Sequence, residues 1–245
     1  MKTFPVKPTV VLILGLCLAA FTVLGQAGKA DISKEEIIQK AWKAMFGELK
    51  IEDVKSLYVE SFSPESAVPN RMTVKRPNLF RNEVPSGILV FDGKRAAWAK
   101  QEPDEKGNPR GPELIEPASW KHFEVDIAML FPAFFEYPSE FQGSAKFEGA
   151  EVYNFFVRLP LGGQMTYFID AATFQIRIRH VNYNGVEGEN WGNIMGAPLK
   201  YGGILFPDGY SYRTKTGMAK TEYRNVRINV NPAAELFEIP KELIK

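Results

Sequence analysis

The stretch from Met72 to Trp98, MTVKRPNLFRNEVPSGILVFDGKRAAW, constrains the fold more than any other part of the chain. It reads as a strand, a break at Pro77-Asn78, a second strand, and a hairpin that turns at Asp92-Gly93. Strands joined so closely lie antiparallel, because parallel neighbours need a long crossover. Met72, Val74 and Arg76 share one parity, so an arginine falls on the face of two apolar side chains. A guanidinium rarely stays on such a face unless carbonyls, carboxylates, water or a ligand reach it. The plainer alternative is a side chain that snorkels to the surface.

The two heptapeptides VKRPNLF (74–80) and ILVFDGK (88–94), in that order and followed by Trp98, resemble the LolA-like superfamily, which includes the periplasmic lipoprotein carriers LolA and LolB and RseB-type sensor domains. The resemblance implies an α+β, mainly β fold: a strongly curved, incomplete antiparallel β-barrel with a helical lid over its concave face. It implies an apolar cavity for acyl chains, walled by Met72, Val74, Phe80, Val84, Leu89 and Phe91, with Phe123, Ile127, Phe131 and Phe134 above. Arg76 is then the lid latch, bonding lid backbone when the cavity is closed. An acyl lipid or lipoprotein cargo, an inner-membrane donor, an outer-membrane acceptor and a monomeric carrier without cofactor are implied as well. The family commonly has an aromatic residue where Asn82 stands, so one wall is more polar here.

At the start of the chain, Lys2 and Lys7 precede an apolar run from Val10 to Leu24, followed by small residues. This is the layout of a secretory signal peptide, with cleavage suited after Ala27 or Ala30. As a membrane anchor the run falls short of the roughly 20 apolar residues that span a bilayer. The expectation is an exported, periplasmic protein with residues 1–27 removed and one domain over 28–245. Cys17, the only cysteine, follows Leu16 rather than a small residue, which argues against an acylated anchor. Its loss on cleavage leaves no thiol for disulfides, nucleophilic catalysis or metal. Loss of two lysines and no acid moves the net charge from +1 to −1, which offers no footprint for nucleic acid.

A helix is expected after Asp31 or Ser33, with Glu35 and Glu36 in its first turn, Ile37, Ile38, Ala41, Trp42 and Met45 on one face, and Gly47 at its end. Residues 57–62 alternate as a strand, and 101–118 read as a long surface loop. Ser119 is placed to cap a second helix whose face carries Trp120, Phe123, Ile127, Leu130 and Phe131. Pro132 breaks that helix, and Phe134, Phe135, Tyr137 and Phe141 continue an aromatic segment. Strands are then expected over 151–159, 165–169, 174–183, 199–206, 210–216 and 218–230.

Catalytic motifs are missing from this reading. His122 and His180 are the only histidines and lack metal-ligand spacing, which leaves packing or surface roles for them. There is no nucleophile elbow, phosphate loop or dinucleotide fingerprint. The chain reads as a binding protein and not as an enzyme. The alternative on the same scaffold is a periplasmic sensor or protein-interaction domain with its cavity filled by side chains, and an exported enzyme of another kind is a third.

Overall fold

The computed structural model describes residues 32–64, 66, 68–100, 103, 105–107, 110–182, 190–214, 217–239 and 241–243. The segment expected to be cleaved on export, 1–27, lies outside the described residues.

The first helix, α1 (Lys34–Phe46), forms as its sequence dictates. The Ser33 hydroxyl accepts the Glu36 N–H at 3.1 Å, and two glutamates sit at the positive end of the dipole. Gly47 ends the helix at φ 66°, a conformation that favours glycine, and its N–H reaches the Lys43 carbonyl. Ile37, Ala41, Trp42, Met45 and Phe46 form the buried face.

Six strands follow: β1 (Ser56–Phe62), β2 (Asn70–Lys75), β3 (Leu79–Val84), β4 (Gly87–Phe91), β5 (Ala96–Lys100) and the short β6 (Glu113–Leu114). Next comes α2 (Trp120–Leu130). The distal half supplies β7 (Ser139–Phe147), β8 (Ala150–Arg158), β9 (Gln164–Asp170), β10 (Ile176–Asn182), β11 (Asn190–Met195), β12 (Pro198–Tyr201), β13 (Ile204–Pro207), β14 (Gly209–Thr214) and β15 (Gly217–Ile228). Thirteen of these make one sheet in the order β6-β5-β4-β3-β2-β1-β15-β14-β11-β10-β9-β8-β7, and β12 and β13 pair separately. Every pairing within that sheet is antiparallel. The sheet is curved but unclosed, with β6 and β7 as its two edges, and β1 beside β15 joins the halves.

Both helices lie on the concave face, where most of the buried apolar residues form one cluster. The alternate residues of β4 and β5, Val90 and Ala97, pack on the other face against Phe237 and Ile239. On the distal half, Val152, Phe168 and Ile178 form a third cluster. His180 meets the Phe168 ring there, at 5.3 Å between centroids, so it packs as expected.

Several local expectations need correction. Ser119 does not cap α2: its backbone is helical (φ −91°, ψ −9°) and its hydroxyl makes no capping bond. The turn Pro117–Ser119 runs straight into the helix, and a capping residue needs extended backbone. The expected loop 101–118 carries this turn and the edge strand β6. Residues 199–206 are not one strand but the β12–β13 hairpin, folded at Gly202-Gly203, where both glycines have positive φ. The aromatic segment beyond Pro132 turns into β7, which sets Phe141 opposite Phe155.

The break after α2 is as expected. Phe131, before the proline, is extended, and Ala133–Phe135 forms a single tight turn. Tyr167, fully buried on β9, clips the two sides together: its hydroxyl donates to the Ala128 carbonyl at 3.0 Å and accepts the Ala133 N–H at 2.9 Å. Tyr167→Phe leaves both backbone groups unpaired, so it is expected to cost about 1 to 3 kcal/mol in urea unfolding. A cost near zero would show that the clip does not hold the break.

Candidate binding site

Arg76 stands just past the end of β2. Arg76 donates through Nε to the Glu136 carboxylate and through Nη1 to the carbonyls of Ile51 and Val54. Its guanidinium lies over the Phe131 ring, 4.6 Å from the centroid. Ile51 and Val54 belong to the segment after α1, whereas Phe131 and Glu136 flank the break after α2, so one side chain joins both coverings to the sheet rim. Only about 15 % of either charged side chain is exposed. The backbone it reaches is that of Ile51 and Val54, just after α1, and beyond α2 it meets the Glu136 side chain.

The residues expected to wall a cavity come together. Val74 and Phe80 are opposite neighbours on β2 and β3, and Phe80 faces Phe91 on β4. These three, with Leu89, Phe123, Ile127, Phe131 and Phe134, are buried in one cluster. Met72 packs at its edge, and Val84 is half-buried outside it. The interior between them is filled by rings from the coverings. Trp42 stacks on Phe46 at 4.3 Å, Phe91 meets Phe123 at 5.8 Å, and Phe134 lies 5.0 Å from Tyr167. Against Ile127 and Phe131 the remaining space is about 10 Å³.

Open space lies elsewhere. A groove of about 600 Å³ runs between α1, the β7–β8 turn, the β9–β10 turn, β11 and the β12–β13 hairpin. Ile176, Ile194, Met195, Pro198 and Leu205 give it an apolar wall, and Ile194 and Leu205 are 39 % and 38 % exposed. Large apolar side chains left open along a groove of this size fit the usual form of a small-molecule site. At its rim Arg177 pairs with Asp170 at 3.0 Å. Hydrogen bonds from the following turn and from Arg177 hold the Asp170 carboxyl below the usual range against the opposing effect of burial. Behind the groove a cavity of about 30 Å³ shares Gln175, Ile176, Met195, Gly196 and Pro198 with it and reaches Met129, Pro132 and Arg179.

None of the residues expected from the sequence lines this groove. The missed signal is in Leu205 of the hairpin and Ile194 of β11, large apolar side chains left exposed along the groove. Across β9, β10 and β11, Tyr167, Arg179 and Asn193 are register partners, so a row of polar side chains crosses an otherwise apolar distal concave wall. Burial pushes the Tyr210 phenol up to about 12 and also raises that of Tyr223.

On α2, burial pushes the Asp126 carboxyl up to about 7. A folded-state value above the unfolded one means the folded chain holds the proton more tightly between pH 4 and 7. Stability therefore falls as pH rises through that window. Asp126→Asn is expected to be more stable than the parent at pH 8, by on the order of 3 kcal/mol, with the gap closing toward pH 4. Equal stabilities at pH 8 would refute it. Among the described residues no group of three histidine, cysteine or acidic side chains is placed to hold a metal.

No protein-family model matches the chain, and no curated protein matches it. Solved structures do. A LolA superfamily protein from Nitrosomonas europaea is 12 % identical, covering 87 % of this chain and 98 % of its own, with a TM-score of 0.51. A domain from Vibrio parahaemolyticus, named for outer membrane lipoprotein sorting, is 12 % identical over 82 % of this chain and 94 % of its own, with a TM-score of 0.46. A DUF1329 family protein from Desulfovibrio piger is 10 % identical over 83 % and 96 %, also at 0.46. Together with the unclosed curved sheet and its helical coverings, the first of these shows that the chain has the LolA superfamily fold, as VKRPNLF and ILVFDGK implied.

Proposed function

We propose that the chain is an exported binding protein that holds acyl chains of a lipid or lipoprotein for transfer between membranes. The observation that carries this reading is the 600 Å³ groove with an exposed apolar wall, which borders α1 and adjoins a smaller cavity reaching Met129 and Pro132. Burying a methylene is worth about 0.8 kcal/mol, so such a groove binds an acyl chain with no catalytic group. The LolA superfamily fold of the Nitrosomonas europaea structure supports a carrier or binding role. Residues 1–27 act as the signal peptide, 28–245 form the working domain in the periplasm, and a membrane donor and acceptor exchange cargo with it as a monomer. The core from Val74 to Phe134 opens to extend the groove when Arg76 releases Glu136 and the backbone after α1. Among the described residues no helix is long and apolar enough to cross a membrane.

Native mass spectrometry of the protein purified gently from the periplasm tests the proposal, with organic extraction of what comes off. A stoichiometric acyl lipid or acylated peptide is expected. A clean apo mass, with no uptake of a fluorescent fatty acid afterwards, would sink it.

One observation favours a sensor or protein-interaction domain on the same scaffold: the interior under α2 is already filled by aromatic side chains. On that reading the fluorescent fatty acid does not bind, and a protein partner is retained instead.

A further inference from the structure

Arg179 is 2 % exposed on the concave face of β10, yet its Nε and Nη2 find no hydrogen-bond acceptor among the described residues. Its contacts are aromatic: the guanidinium stands 5.7 Å from the Tyr210 ring centroid, and its charge acts on the buried Tyr223 phenol. Among the described residues no carboxylate pairs with it. Asp170 is engaged by Arg177 and its own turn. An interior guanidinium with two open donors is costly unless an acceptor reaches it. Nε and Nη2 lie on one edge of the planar group, the edge that grips both oxygens of a carboxylate or phosphate.

Access comes from the geometry already described. Arg179 lines the 30 Å³ cavity, which holds about one water-sized group, and that cavity shares a wall with the apolar groove. A polar end and a long apolar wall thus lie in series. We propose that Arg179 is the anion subsite of this groove and that the ligand is an anionic amphiphile, whose carboxylate or phosphate oxygens bond Nε and Nη2 while its acyl chain lies along Ile176, Met195 and Pro198. The Tyr223 and Tyr210 rings hold the guanidinium in place from the side away from the headgroup's oxygens. This deepens the acyl-binding proposal and rests on it.

The test compares dansyl-undecanoic acid with its methyl ester at pH 8, read by fluorescence titration of the purified protein. The two probes share a chain and differ in the anion. The acid is expected to bind at least tenfold more tightly, and Arg179→Met is expected to abolish that preference while Arg179→Lys keeps part of it. Circular dichroism checks the fold of both variants; if Arg179→Met does not fold, the acid-to-ester ratio of the parent protein decides alone. Equal affinities in the parent, or a preference that survives in folded Arg179→Met, would overturn the subsite and leave acyl binding intact. Binding of neither probe would overturn both. Inorganic phosphate that binds in an Arg179-dependent way, without either acyl probe binding, would make a free anion the ligand and overturn the amphiphile.

Discussion

Arg76→Leu is expected to remove about 3 to 5 kcal/mol of unfolding free energy, because it strands a largely buried carboxylate. For a chain of this length the melting temperature falls by roughly 10 °C. The guanidinium serves Glu136, the Ile51 and Val54 carbonyls and the Phe131 face together, so leucine leaves an unpaired charge and two unmet acceptors in one place. A solvent-exposed pair would contribute less than about 1 kcal/mol, but these two side chains are both mostly buried. Arg76→Lys should rescue little, since a point ammonium cannot span three acceptors and stack as a planar fork does. A double-mutant cycle with Glu136→Gln isolates the ion pair, with a coupling of about 1 to 3 kcal/mol expected. A total loss below about 1 kcal/mol would return Arg76 to a snorkelling surface role. The same cycle read by uptake of a fluorescent fatty acid tests the latch: releasing both coverings at once raises the open population, and uptake should quicken several-fold.

The parity of Met72, Val74 and Arg76 made this feature legible, because a charge in register with buried apolar residues needs partners. The same logic does not carry over to β10. In Ile176-Arg177-Ile178-Arg179 alternation suggests isoleucines inward and arginines outward, but Ile178 packs with Val152 and Phe168 on the outer face, and Arg179 lies inside beside Val181. Both faces of the distal sheet carry apolar clusters, so period-2 patterning loses its power to say which face is the core. A register shift between Ile176 and Ile178 adds to the ambiguity. The groove was hidden for another reason. Its wall is assembled from α1, the β7–β8 turn, the β9–β10 turn, β11 and a hairpin, and nothing local announces that five segments leave a gap between them. Capping failed at Ser119 and succeeded at Ser33, because only Ser33 has the extended backbone that lets a hydroxyl face the helix N-terminus.

Phe134→Ala carries the largest packing effect and separates the two functional readings. Phe134 is 3 % exposed, with the rings of Phe135, Tyr167 and Phe155 at 4.4, 5.0 and 5.7 Å. Truncation removes its transfer free energy and leaves a void that a rigid sheet and a clipped helix break cannot collapse, so a loss of about 3 to 5 kcal/mol is expected in urea unfolding. For a filled scaffold that loss is the whole effect. For a carrier the ring is also a plug: an acyl chain extending from the groove must displace it, and the displacement lowers the observed affinity by the population of the open form. Removing the plug should then tighten fatty-acid binding by about tenfold, even as it destabilises the empty protein. A destabilised Phe134→Ala that binds no better than the parent would confine the ligand to the groove and leave the aromatic interior a structural core.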